Sequence, residues 1–219
     1  VVLISAIAFH LFKEQINSLV KIDVLEKLKL EAELDFLKMQ MNPHFLFNTL
    51  NGISTLTKTN PDKAYDTIIL LSDLLRYQTY ECSGNLVLLS SEIKYLQQYL
   101  ALQSLRFPKA KIDFQIEGQI TGLTIFPFIF STFVENAVKH GVEKVKDNAY
   151  IRIVIEILNK RVNFLVENTK TSDIQDKTTG VGLKNVKRRL DLLYSKDYNL
   201  KIEEKDDLYI VKLNLNLVQ

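Results

Sequence analysis

Tryptophan is absent, cysteine occurs once, and proline and glycine number only four and seven in 219 residues. A single thiol, Cys82, closes no internal disulfide, which suits a reducing compartment. His10, His44 and His140 are far apart, and with one cysteine they give no metal-ligand spacing, so a zinc site is excluded. Net charge is +2 with no run of one sign, so the electrostatic footprint of nucleic-acid binding is missing. No internal repeat or low-complexity tract is present. What remains is ordinary globular composition, 47% hydrophobic and 25% charged, enough for one or two cores.

Val1–Phe12 is apolar but shorter than the roughly 20 residues that span a bilayer, and it lacks the basic start of a signal peptide. Two readings stay open for it: a buried helix end, or the tail of a truncated transmembrane helix. The chain starts on Val rather than Met and reads as a fragment. Lys13, Lys21, Lys27 and Lys29 follow, as on a cytoplasmic flank.

From Ile16 to Met41 apolar residues recur at helical spacing, with Leu30, Leu34, Leu37 and Met41 on one stripe. The pattern runs on through Gln40–Asn51, Q-M-N-P-H-F-L-F-N-T-L-N, to about Lys58. There Pro43 costs about 3 kcal/mol if it lies inside the helix. Phe45, Leu46, Phe47, Leu50 and Ile53 cover nearly every side, which predicts burial by several neighbours. His44 sits on the edge of this seam, and Asn48 follows one turn later on the same face. Asn60-Pro61-Asp62 starts a second helix, Ala64–Tyr80, and the hairpin predicts a four-helix bundle in a homodimer. Ser90 is the expected cap of a third helix reaching Arg106.

Beyond Pro108 the pattern turns mixed. Lys111–Glu117 reads as a strand and Pro127–Gly141 as a helix closed by its glycine. Tyr150–Leu158 and Val162–Asn168 alternate around an Asn159-Lys160 turn, and Asn199–Glu203 and Leu208–Val218 form a last hairpin around Asp206-Asp207. Gly182–Tyr194 reads as a helix opened by glycines. The fold class is therefore α+β: a helical hairpin, then a two-layer α/β sandwich. The divisions read as 1–12, a possible transmembrane end; 13–107, helical; and 108–219, the sandwich.

Three constellations carry chemistry. In F-V-E-N-A-V-K-H-G, Asn136, Lys139 and His140 stand at i, i+3 and i+4 on one predicted helix face, a reasonable set for Mg²⁺ and phosphate oxygens. Gly180 and Gly182 allow close backbone approach to an anion at a helix start, after a polar stretch 170–179 that reads as a lid. By strand parity Asn168 shares the buried face of Val162, Phe164 and Val166, leaving Glu167 on the other. A polar side chain there needs a partner.

Together these segments resemble the cytoplasmic part of LytS-type sensor histidine kinases, from about Leu30 to Leu217. The resemblance rests on N-P-H-F-L-F-N-x-L-N at Asn42–Asn51, E-N-A-x-K-H-G at Glu135–Gly141, and G-x-G-L-x-N-x-x-x-R-L at Gly180–Leu190, in order. It implies that His44 is phosphorylated by ATP held in a Bergerat-type domain. Asn136 would then bind Mg²⁺, Lys139 and His140 face phosphate, and Gly180 and Gly182 shape the nucleotide pocket. It further implies a homodimer on the cytoplasmic side of the bacterial inner membrane, anchored through an N-terminal region, with a response-regulator receiver domain as partner. Leu105-Arg106-Phe107 matches a family motif with a structural role.

One departure concerns the strand end, V-E-N-T-K, where many such domains carry Asp followed by glycines. Asn168 would accept from adenine N6 without charge assistance. Two alternative readings share this fold or these motifs. An ATP-hydrolysing clamp needs a glutamate four residues before Asn136, where this chain has Thr132. A degenerate kinase acting as a dimeric scaffold is favoured by Asn168 and the missing glycines. Asn48 is a candidate for positioning water in dephosphorylation of the regulator, as residues at that offset do in another class of histidine kinases, or for fixing the phosphoacceptor ring.

Overall fold

The structure, a computed structural model, describes residues 12–16, 43–83, 86–145, 148–170, 179–195 and 197–217. The chain divides into two compact units, Val1–Met41 and Asn42–Gln219. Of the first, residues 12–16 are described; they are helical, with Phe12 and Ile16 exposed. The stripe from Leu30 to Met41 and the approach to Pro43 lie outside the described residues. No described helix is long and apolar enough to cross a membrane.

The second unit opens with α1 (Pro43–Thr59) and α2 (Pro61–Thr79), joined by Asn60 alone. Asn60 caps α2 by accepting from the Lys63 N–H at 3.0 Å, and Pro61 takes the first helical position, where no donor is lost. The burial expected around His44 is only partly present. Ile53 is 7% exposed and Phe45 and Leu46 are half-buried, but Phe47 is 66% and Leu50 47% exposed. Tyr65, Ile68 and Ile69 of α2 are also exposed.

After a short 3₁₀ turn (Glu81–Ser83), β1 (Val87–Leu88) leads directly into α3 (Leu89–Arg106). The cap position belongs to Leu88, with no side-chain cap bond, and Ser90 lies inside the first turn. The Leu89 N–H instead donates to the Leu123 carbonyl at 2.8 Å, so tertiary pairing replaces the predicted hydroxyl cap. α3 buries residues on nearly every side, from Leu89 and Leu96 to Tyr95, Tyr99 and Gln103, because it is packed from several directions.

The sheet has the order β2 (Lys111–Glu117), β4 (Tyr150–Leu158), β5 (Arg161–Thr169), β7 (Leu208–Asn216), β6 (Tyr198–Glu204). β2 runs parallel to β4, and every other pair is antiparallel. The β4–β5 turn falls on Asn159 and Lys160, both at positive φ (48° and 66°), as a tight hairpin requires. Between β2 and β4 come β3 (Thr124–Ile125), paired with β1, and α4 (Ser131–Ala137). α5 (Thr179–Tyr194) precedes the last hairpin.

The sandwich core lies between the sheet face carrying Ile151, Ile153, Ile155, Phe164, Val166, Val211 and Leu213 and the helices carrying Phe133, Val134, Val186 and Leu190. Phe130 stacks on Phe164 at 4.5 Å between centroids, a contact worth about 0.5–1.5 kcal/mol beyond the area it buries. These positions are the inward half of each alternating strand.

Candidate functional site

His44 is exposed on α1. Its Nε2 lies 3.0 Å from Asn48 Nδ2, so the i, i+4 offset becomes a direct contact. The contact orients the ring on the exposed face of α1.

The sequence predicted a single helix over Pro127–Gly141, with Asn136, Lys139 and His140 on one face. α-helical geometry instead covers Ser131–Ala137, and Val138–Val142 form a π-turn closed by Glu143 N–H to the Val138 carbonyl at 3.0 Å. The wider turn rotates Lys139 and His140 relative to an α-helical path. Asn136 and His140 are half-buried, whereas Lys139 is exposed. Arg106, in the Leu105-Arg106-Phe107 motif, ties the end of α3 to this turn by donating to Glu143 Oε1 at 2.6 Å. Its guanidinium carbon also lies 4.6 Å from the Phe107 ring centroid.

Asn168 is 1% exposed on the inner face of β5, as parity predicted, and Glu167 is on the other face. Its Nδ2 donates to the Thr169 carbonyl at 2.8 Å, which supplies a partner for this buried amide. Gly141 backs onto it: a Cβ there would meet Asn168 Nδ2 at 2.9 Å and Asn168 Cβ at 3.0 Å. Gly141 thus permits close approach, while the helix-ending role inferred from sequence needs a left-handed backbone that Gly141 does not have. The contact joins the end of the Asn136 segment to the end of β5.

Gly180 and Gly182 fall in the first turn of α5, where backbone N–H groups lack intrahelical partners. Of the stretch 170–179 read from sequence as a lid, residues 171–178 lie outside the described residues. Glu135, the first residue of the E-N-A-x-K-H-G box, is given no role by the sequence. Burial, with a smaller push from the Glu92 charge, raises its carboxyl to about 7. Its charge in turn contributes to raising the Tyr95 and Tyr99 phenols, after burial itself.

The donor set suits the implied groups. One neutral amide oxygen at Asn136 matches Mg²⁺, which keeps several waters and takes its other ligands from phosphates. Lys139 adds an exposed cation nearby in the chain.

Residues 32–111 match the family described as histidine kinase. The chain is 30% identical over 207 residues to the sensor protein LytS of Enterococcus faecalis, covering 88% of this chain and 35% of that protein. It is 35% identical over 146 residues to LytS of Bacillus subtilis, covering 66% and 24%. A 29% match over 212 residues, 89% and 36%, is to the protein named sensor histidine kinase/phosphatase LytS in Staphylococcus aureus. The chain spans about a third of the length of the relatives it matches. Among solved structures, a histidine kinase domain of a blue-light activated kinase from Erythrobacter litoralis aligns at 13% identity and TM-score 0.45, over 86% of this chain and 95% of that one.

Proposed function

Because the chain belongs to the histidine kinases, with LytS-type sensors as its relatives, we propose that it is the phosphoacceptor and ATP-binding part of such a sensor. It would phosphorylate His44 from ATP and pass the phosphoryl group to a response-regulator receiver domain. The observation that carries this reading is the placement of His44. A phosphoacceptor must be reachable, and this histidine is exposed on α1 with its ring oriented by Asn48 at 3.0 Å.

Bound Mg²⁺–ATP supplies the γ-phosphoryl group and the metal charge. Asn136 is the residue proposed to hold the metal, and Lys139 and His140 to face the phosphates. Gly180 and Gly182, in the first turn of α5, would offer backbone N–H groups to the phosphates, and buried Asn168 would lie at the adenine end. His44 would attack through the Nε2 lone pair once it leaves the Asn48 amide; the Nε2–P bond would form as the bond from the γ-phosphorus to the β–γ bridging oxygen breaks, and ADP would depart with that oxygen. Positioning carries most of the rate in such transfers.

The exposed Phe47, Leu50, Tyr65, Ile68 and Ile69 support pairing of two hairpins into a four-helix bundle, since one chain leaves them in water. We assign membrane attachment to a region N-terminal of the helices. The name of the Staphylococcus aureus relative supports a second activity, removal of phosphate from the regulator, with Asn48 orienting the attacking water.

Incubation with γ-labelled ATP and Mg²⁺ tests the proposal. Label that survives alkali and is lost in acid, as a phosphoramidate is, is expected, together with its loss in Asn136→Ala. Acid-stable label would place the phosphate on a hydroxyl and overturn the assignment.

A further inference from the structure

Away from these residues, one buried polar network joins the hairpin to the sandwich. Glu92, in the first turn of α3, is fully buried. It accepts from the Tyr77 hydroxyl on α2 and, at 3.0 Å, from the Phe128 N–H. Arg189 on α5 is also buried and grips the same turn from the other side, donating to the carbonyls of Pro127 and, at 3.4 Å, Phe128. Phe128 holds φ at +57°, a left-handed backbone that a bulky residue keeps only when its surroundings impose it. The rings of Tyr77, Tyr95 and Phe128 close around it at centroid distances of 4.9 to 5.7 Å.

The position of this turn gives it significance. Three residues beyond Phe128, α4 begins and carries Asn136; the helix bearing Arg189 carries Gly180 and Gly182 in its first turn. On the other side, Tyr77 belongs to the helix paired with the one that bears His44. We propose that Glu92 and Arg189 are positioning residues for phosphoryl transfer. Through the Pro127–Phe128 turn they hold the nucleotide-bearing helices in a fixed relation to the His44 hairpin, and Tyr77 is the hairpin's hold on that turn. The inference rests on the kinase reading above.

Charge supports the geometry. Burial raises the Glu92 carboxyl and lowers the Arg189 guanidinium, and each opposes the other's shift through their mutual attraction. Both buried side chains bond the backbone of one turn, so removing either leaves a buried polar atom of that turn without its partner.

The test uses the full chain with Tyr77→Phe, Glu92→Gln and their double variant. Tyr77→Phe removes one hydroxyl and keeps the ring, so it folds even if Glu92→Gln does not. Affinity for a non-hydrolysable ATP analogue is expected to stay within about twofold, while the labelling rate of His44 at saturating ATP falls about tenfold or more. ADP-driven loss of the His44 phosphate slows by the same factor, since the reverse step needs the same alignment. The double variant falls short of the product of the single effects, as expected for one network. Labelling rates within about twofold of the parent, whatever happens to Tm, would show a purely structural network and overturn the inference. Analogue affinity falling in step with the rate would place the network in the nucleotide pocket and also overturn it. A parent chain that takes no label would overturn the kinase reading and this inference with it, whereas a labelled parent with unaffected variants overturns the inference alone.

Discussion

Gly141 and Asn168 stand against each other so closely that a Cβ on Gly141 would lie 2.9 Å from Asn168 Nδ2. Two segments far apart in sequence, the end of the E-N-A-x-K-H-G box and the end of β5, are thereby held at backbone-to-side-chain contact.

Gly141→Ala is therefore expected to displace Asn168 rather than be absorbed. Overpacking of this kind costs about 1–3 kcal/mol, and the displaced amide should weaken ATP-analogue binding more than stability alone explains. Calorimetric titration beside thermal unfolding measures both. Shortening the neighbour as well, in Gly141→Ala/Asn168→Ser, should recover stability without recovering affinity.

Asn168→Asp separates donor from acceptor roles at the same position. The amide nitrogen now donates to the Thr169 carbonyl at 2.8 Å. A carboxylate would set an oxygen against that carbonyl at a buried position, with an expected loss of about 1–3 kcal/mol at pH 8. Urea denaturation reads it, and unchanged stability would show that the Thr169 contact contributes nothing.

Glu135 gives a pH signature. Its folded-state carboxyl is raised to about 7, above its unfolded value, so the native chain binds the extra proton between those limits. This group then favours folding most at low pH, and its contribution is lost as pH rises from about 4.5 through about 7. Glu135→Gln should flatten that part of the stability profile and raise stability at pH 8 relative to the parent. Parallel profiles for the two proteins would contradict it.

Much of the sandwich was legible from strand alternation, because burial on one face imposes a period of two. The Asn159-Lys160 turn and the inward position of Asn168 both follow from it and are both observed. The parallel placement of β2 beside β4 was not legible, since the chain between them carries no local sign of where it returns. Nor was the π-turn at Val138–Val142, which keeps helical residue preferences while changing which side chains share a face. The joint placement of Glu92 and Arg189 was not legible either, although Arg189 stands in the G-x-G-L-x-N-x-x-x-R-L box, because only the fold brings residues 77, 92, 128 and 189 together. The exposed Phe47 and Leu50 show the reverse case, in which apolar periodicity exceeds what one chain buries.

Asn48→Ala distinguishes two uses of one amide. Loss of the 3.0 Å contact frees the His44 ring. Autophosphorylation is expected to fall no more than about threefold, because ring rotation is a modest entropic cost. Removal of phosphate from a pre-phosphorylated regulator should fall by about 10²-fold, the scale of a lost water-positioning group. Equal loss of both activities would assign Asn48 to the phosphoacceptor's own scaffold.

The central claim is that His44 accepts the phosphoryl group from ATP bound by a separate set of residues. Its most direct test is His44→Gln, assayed for ³²P incorporation from γ-labelled ATP and, in the same preparation, for ATP-analogue affinity. The account predicts that acid-labile label disappears while analogue affinity stays within about twofold of the parent. Acid-labile label retained at parental levels in His44→Gln would contradict it.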